Sequence, residues 1–373
     1  MAQLRFPNLD GLRFIGAALV VVWHTEKARN SLGFGRSAHL EHWAQLGLLG
    51  VQLFFVLSGF LITWLLLAEE ERMGRINVRQ FLMRRVLRIW PLYFLMVLLA
   101  LFVIPHFALL RTPGASPDDV LLGWPYKLLL FVLFLPTLVP DLTNGVPDSA
   151  HLWSIGTEEY FYALWPFLLV AFKRMRPVLV LGVFLGWPLM NIALDHWALN
   201  GAKVTMAAAA FWRNFNIDAM AVGAAMAWLL HCRSRALRVL MDGRFALAMA
   251  LATVLILSRS TWISAVGTRT IMVLFGVLVL NLAASPKASH LLEQPVLRYL
   301  GRISYGIYVY HPPLIVLVFT LLERAGMLRN SWAYPSIFLL TIAVAGLSHR
   351  FFERPFMKLR GKYRPAPAEV KPN

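Results

Sequence analysis

Again and again along this chain, apolar residues run on for longer than a hydrocarbon bilayer is thick. A spanning helix needs about 20 such residues. Inside a bilayer every backbone amide must be bonded within the protein, so only helices and closed barrels cross. Runs of this length are helical, and the expected fold is all-α: a polytopic transmembrane bundle. Ten spans are expected, at about 12–27, 46–68, 89–107, 152–172, 178–196, 211–230, 245–262, 269–284, 304–322 and 333–351. Apolar residues make up 58% of the chain and charged ones 15%, which excludes a soluble domain.

A formal charge of +17 would suggest nucleic acid in a soluble protein. Its distribution argues otherwise. With the N-terminus inside, the inner segments carry 25 of the 36 Lys and Arg and the outer ones 11, the positive-inside bias. Both termini are therefore expected in the cytoplasm, with a bilayer and no nucleic acid as partner. The first run continues into Trp23-His24-Thr25-Glu26 without a small-x-small site, so it reads as a retained helix and not a cleaved signal. The single cysteine, Cys232, excludes an intramolecular disulfide and a Cys-rich metal site; no metal is expected. The segment Trp124–Pro136 is short and fenced by Pro125 and Pro136. It reads as an outer re-entrant or surface-lying helix; if it crossed, the spans would number eleven. Residues 1–356 form one membrane domain, and 357–373 read as a disordered cytoplasmic tail.

The polar residues inside the runs carry the chemistry. Arg13 and His24 lie on one face of the first helix, about 16 Å apart along its axis. An ionisable group there costs on the order of 2.5–3.5 kcal/mol and usually faces a cavity or a partner. Asp10 is placed to cap this helix. In the second run Gly50 and Gly59 permit close helix approach, while Gln52 and Ser58 are polar exceptions placed to line a cavity. Arg84, Arg85 and Arg88 are spaced as one cationic cluster on a helix. Such a cluster binds either anionic lipid or, through guanidinium forks, a phosphorylated donor. Glu158 and Glu159 point about 100° apart on a helix, so at most one of them faces a cavity shared with His24. His151, Trp153 and Tyr162 add a polar and aromatic rim suited to a sugar ring. His311 is followed by Pro312-Pro313, read as a helix break lining a cavity. Glu353 and Arg354 read as a local ion pair.

Together these segments resemble acyltransferase family 3, bacterial membrane proteins that acylate carbohydrates. The resemblance rests on Leu9-Asp10-Gly11-Leu12-Arg13 with His24 eleven residues after Arg13, and on Leu53-Phe54-Phe55-Val56-Leu57-Ser58-Gly59. It continues through Arg84-Arg85-x-x-Arg88, Trp153-Ser154 with Glu158-Glu159, Gly301-Arg302-Ile303-Ser304-Tyr305 and Glu353-Arg354-Pro355, spanning roughly residues 7–356. It implies ten helices, an acyl-CoA donor (acetyl-CoA foremost) and a carbohydrate or lipid-linked glycan acceptor at a bacterial inner membrane. It implies that His24, Arg13, Arg85 and Arg88 are essential. Some members carry an appended hydrolase-like domain; this chain, ending about twenty residues after Arg354, is expected to lack one. Oligomeric state stays open, a homo-oligomer included.

The expected chemistry is acyl transfer. Arg85, Arg88 and Arg84, with Arg13, would hold the donor's phosphates. His24, kept neutral by burial, would take the proton from an acceptor hydroxyl. Glu158 would orient the imidazole or the sugar. A short-lived acyl-histidine is the alternative route. The rival class is a glycan or lipid exporter using His24 and Glu158 as a proton relay. Lipid acyltransferases of the His-x-x-x-x-Asp type are excluded, because no histidine has an aspartate five residues later.

Overall fold

The computed structural model describes residues 6–31, 40–199, 211–212, 215–288, 290–327 and 332–363, and among them there is no strand. Ten long helices stand where the ten apolar runs lie. They are α1 (Leu9–Ser31), α2 (Leu40–Met73), α3 (Val78–Leu98), α4 (Trp153–Ala171) and α5 (Arg176–Leu199). The others are α6 (Ile217–His231), α7 (Gly243–Leu257), α8 (Thr268–Ala284), α9 (Ser304–Arg324) and α10 (Ala333–Ser348).

By length and apolarity, five described helices can cross a membrane: His42–Met73, Val78–His106, Arg176–Trp197, Ser304–Arg324 and Ala333–Tyr363. A sixth forms if Gly243–Leu257 and Ser260–Val266, bent by 119°, count as one span. The expected ten are thus not all met on this criterion. α1 misses it because Asp10, Arg13, Glu26, Lys27 and Arg29 sit on one helix; α6 and α8 are apolar but shorter. Of the tail expected to be disordered over 357–373, residues 357–363 are instead helical and tied to α3, where Arg84 donates to the Tyr363 carbonyl; those beyond 363 lie outside the described residues.

α2 is the central helix, packed by α1 on one side and by α6 and α8 on the other. A Cβ built on Gly59 would lie 2.0 Å from the Met220 carbonyl oxygen, and one on Gly223 2.0 Å from that of Val56. α2 and α6 therefore touch backbone to backbone, which no larger residue permits. Gly59→Leu should lower the melting temperature in detergent by several degrees; an unchanged melting curve would contradict this contact. The start of α1 is fixed separately. Asn8, in the left-handed region at φ 65°, donates from Nδ2 to the carbonyls of Leu282 and Ala288, and its Oδ1 accepts from the Leu292 amide. This sets the height at which Arg13 and His24 stand in the bundle.

The segment expected as an outer re-entrant or surface-lying helix is short, and two local expectations change. Trp124–Val132 is a nine-residue helix, about 14 Å long, too short to span. Its end folds onto the bundle, where Tyr93 donates to the Phe131 carbonyl at 3.0 Å and Tyr160 to that of Leu133 at 2.8 Å. α9 runs unbroken through Pro312 and Pro313, so the expected helix break is absent. Glu353 does not pair with its neighbour. It is buried, 3.7 Å from His349 Nδ1 and accepting from Ser348 Oγ, while Arg354 is exposed.

Candidate active site between two cavities

Two cavities lie at different heights along α1, one at its Arg13 end and one at its His24 end. The first, of about 90 Å³, is lined by Arg13, Arg85, Arg88, Ser58, Glu158 and Tyr162, among others. α1, α2, α3 and α4 each supply part of it. The Glu158 carboxylate accepts from Ser58 Oγ at 2.9 Å and from the Tyr162 hydroxyl at 2.7 Å. Arg85 lies over the rings of Phe81 and Tyr162, and its buried Nε has no partner among the described residues. Three guanidinium groups face one carboxylate, so the cavity is built for an anion.

Arg84 is not part of it. It pairs with Glu69 of α2 at 2.7 Å and donates to the Tyr363 carbonyl at 2.7 Å. Neighbouring residues on a helix point about 100° apart, and Glu69 draws Arg84 away from Arg85. The expected three-arginine cluster is therefore divided into two cavity residues and one structural tie.

The second cavity, of about 220 Å³, lies at the other end of α1 and includes His24, Lys27, Thr112, Asp148, His151 and Pro312 in its lining. Between the cavities stands a cluster of three imidazoles. His24 and His311 have ring centroids 4.8 Å apart, and His151 and His311 5.1 Å.

The two prolines of α9 set the roles of these rings. A helical N–H at residue i bonds the carbonyl at i−4, and proline has none. Pro312 thus frees the carbonyl of Tyr308, and Pro313 that of Val309. Both freed acceptors are taken by imidazoles: His311 Nδ1 donates to Tyr308 at 2.7 Å, and His151 Nε2 donates to Val309 at 3.1 Å. A neutral His311 can then only accept at Nε2. His24 Nδ1, 3.1 Å away, is its donor, and the Val20 carbonyl shares the same proton at 3.1 Å. The lone pair of His24 is left on Nε2, with no bond to any described residue, on a ring that lines the second cavity. His151 keeps a lone pair on Nδ1, buried and without a partner among the described residues, in the same lining.

Tyr308 closes the wall between the cavities. Its hydroxyl donates to the His151 carbonyl at 2.8 Å and accepts from Ser154 Oγ at 2.7 Å. Both side chains also line the arginine cavity. His24 and the guanidinium groups therefore occupy two chambers, not one. Glu158, expected beside His24, faces the arginine chamber instead, and Glu159 turns away to accept from Trp90 Nε1 at 2.8 Å. Tyr162 likewise lies with Arg13, not on a sugar-facing rim. Trp153 lines neither chamber but a third cavity. His311 is fully buried in the wall. No hydrogen bond among the described residues joins Glu158 to His24.

Tyr308, Ser154 and Asp148 were not singled out from the sequence. Tyr308 was accessible to the i−4 argument from Pro312; Asp148 had no signal, because it lies in a loop. Burial pushes its carboxyl up from the ordinary 3.8 to about 7, against the bond it accepts from Thr112 Oγ1. The folded protein thus holds this proton up to about pH 7, whereas the unfolded chain loses it near 3.8. Ionising it in place costs stability as pH rises through that window. Asn tolerates the left-handed backbone of this position, φ 60°. Asp148→Asn should therefore raise the melting temperature at pH 8 and change it little near pH 4; an equal shift at both would contradict the assignment.

Comparisons with known proteins agree with one another. A family model described as an acyltransferase domain matches residues 6–350. The chain is 28% identical over 368 residues to the peptidoglycan O-acetyltransferase OatA of Listeria monocytogenes, covering 94% of this chain and 56% of that protein. It is 26% identical over 375 residues to the O-acetyltransferase OatA of Staphylococcus aureus strain NCTC 8325, and 26% identical over 376 residues to a putative O-acetyltransferase of strain COL; each match covers 94% of this chain and 57% of the relative. The chain thus spans a little over half the length of these curated relatives. No solved structure matches.

Proposed function

Because the chain belongs to the acyltransferase domain family, we propose that it is a membrane O-acyltransferase moving an acyl group, acetyl by the names of its relatives, from acyl-CoA to a hydroxyl of a cell-surface or secreted carbohydrate. The observation that carries this reading is the pair of chambers, one lined by arginine and one by histidine, divided by the Tyr308 wall. In this reading all ten helices cross the bacterial inner membrane. The Arg13 end of α1 faces the cytoplasm, as the positive-inside bias requires.

The donor enters from the Arg13 end. Arg85 and Arg88, with Arg13, hold its phosphates, and the narrow pantetheine arm carries the thioester up to Tyr308. The carbohydrate, free or lipid-linked, enters the second chamber. One hydroxyl meets His24 Nε2; another donates to His151 Nδ1. Rotation of Tyr308 opens the wall.

Nε2 then takes the hydroxyl proton as the oxygen attacks the thioester carbonyl. A C–O bond forms, the C–S bond breaks, and the proton on His24 passes to the departing thiolate. His311 Nε2 holds the Nδ1 proton throughout, fixing the tautomer and stabilising the imidazolium while it lasts.

Membranes carrying the protein, given radiolabelled acetyl-CoA and extracted surface glycan, should consume thioester and yield glycan heavier by one acetyl group. Stable thioester and unchanged glycan mass, relative to membranes lacking the protein, would overturn the proposal.

A further inference from the structure

A third cavity, of about 660 Å³, has no part in the transfer step. It lies at the His24 end of the bundle, on the far side of α2. Gln45, Leu48, Leu49 and Gln52 recur at helical spacing and line it, whereas Gly47 and Gly50 on the opposite face of α2 meet Trp23 and Gly16 of α1. Trp153 of α4 forms another part, and Asp218 and Arg269, at the starts of α6 and α8, form a third.

The lining is polar in a way that packing does not require. Gln52 is 7% exposed, two or more turns inside a spanning helix, and its Oε1 has no partner among the described residues. An amide oxygen taken out of water without a bond in return is destabilising. Gln45 is in the same position: its Nε2 donates to Ser264 Oγ at 3.0 Å, and its buried Oε1 is unpartnered. Both open acceptors belong to the α2 face that lines the cavity. Asp218, 3% exposed, is held by Arg269 at 3.4 Å, and Arg269 itself is half exposed. Unfilled amide acceptors, a guanidinium–carboxylate pair and an indole are the groups that meet hydroxyls and the C–H face of a saccharide ring.

We propose that this cavity is a second carbohydrate-binding site, which holds a ring of the acceptor remote from the one being acylated. Hydroxyls donate to Gln52 and Gln45, Arg269 donates to ring or hydroxyl oxygens, and Trp153 packs against the ring. The assignment of a carbohydrate rests on the acyl-transfer reading above. The site selects for acceptor length, because α2 separates it from His24 and a single sugar cannot reach both.

The test uses the full chain in nanodiscs, with chito-oligosaccharides of increasing length as the probe. Gln52→Leu and Arg269→Gln, made separately, should each raise KM for the longer oligosaccharides roughly three- to tenfold, the value of one lost hydrogen bond. KM for the monosaccharide and kcat should stay as in the parent protein. Equal effects on monomer and oligomer, or none on either, would overturn the site. Calorimetric titration of the His24→Ala protein separates this from the chemistry. Oligosaccharide binding that the Gln52→Leu change weakens supports the site even if no acyl transfer is ever detected. Binding indifferent to both changes rejects it even if transfer is confirmed.

Discussion

His24→Ala should cut carbohydrate acylation by about 10²–10⁴-fold, the usual worth of a positioned general base. The loss follows from the bonding of the histidine cluster. Pro312 commits the Tyr308 carbonyl to His311 Nδ1, His311 Nε2 commits His24 Nδ1, and on the bonded His24–His311 pair Nε2 of His24 is left to accept a proton. Alanine also strips His311 Nε2 of its donor, so a modest fall in stability accompanies the change. His24→Gln separates the two effects. Its amide can still donate toward His311, but it offers no basic nitrogen, and it should be as inactive as alanine while melting closer to the parent. Activity in the glutamine variant within tenfold of the parent would contradict the role of Nε2.

The second large effect belongs to the arginine chamber. Replacing Arg85 and Arg88 together by glutamine should raise KM for acetyl-CoA by about 10²–10⁴-fold, since each bond to a charged phosphate oxygen is worth about 1.5–3 kcal/mol. Turnover at saturating donor should fall far less. Arg84→Gln supplies the contrast: it breaks the tie to Glu69 and Tyr363 and should lower the melting temperature without moving the donor KM. Donor affinity measured on detergent-solubilised protein distinguishes these outcomes. If Arg84→Gln weakened donor binding as much as the double change, the partition of the cluster would be wrong.

The positions of the helices were legible because their apolar runs are long and their ends are marked by charge. Whether each crosses a bilayer was less so: α1 carries five charged residues that apolarity alone penalises, and α7 bends away at Ser258-Arg259. Within the site, spacing put Arg13 and His24 on one helix face, and the structure places them in different chambers of the same bundle. Spacing could not reveal which neighbour would claim Arg84, because Glu69 lies fifteen residues away on another helix. Nor could it tell that Glu158 would bond Ser58 and Tyr162 and leave His24 to a second histidine. Pro312 and Pro313 differ from the expected helix break. They do not break α9; they release two carbonyls that orient His311 and His151. That consequence was contained in the i−4 rule and needed only the imidazoles' locations to be drawn.

The central claim is that donor and acceptor reach His24 from opposite ends of the bundle. Proteoliposomes loaded with acetyl-CoA and given oligosaccharide only on the outside test it directly. Acetylated oligosaccharide should accumulate outside sealed vesicles, and His24→Ala vesicles should yield none. Product formed only when donor and acceptor share one side of the membrane would contradict the two-chamber account.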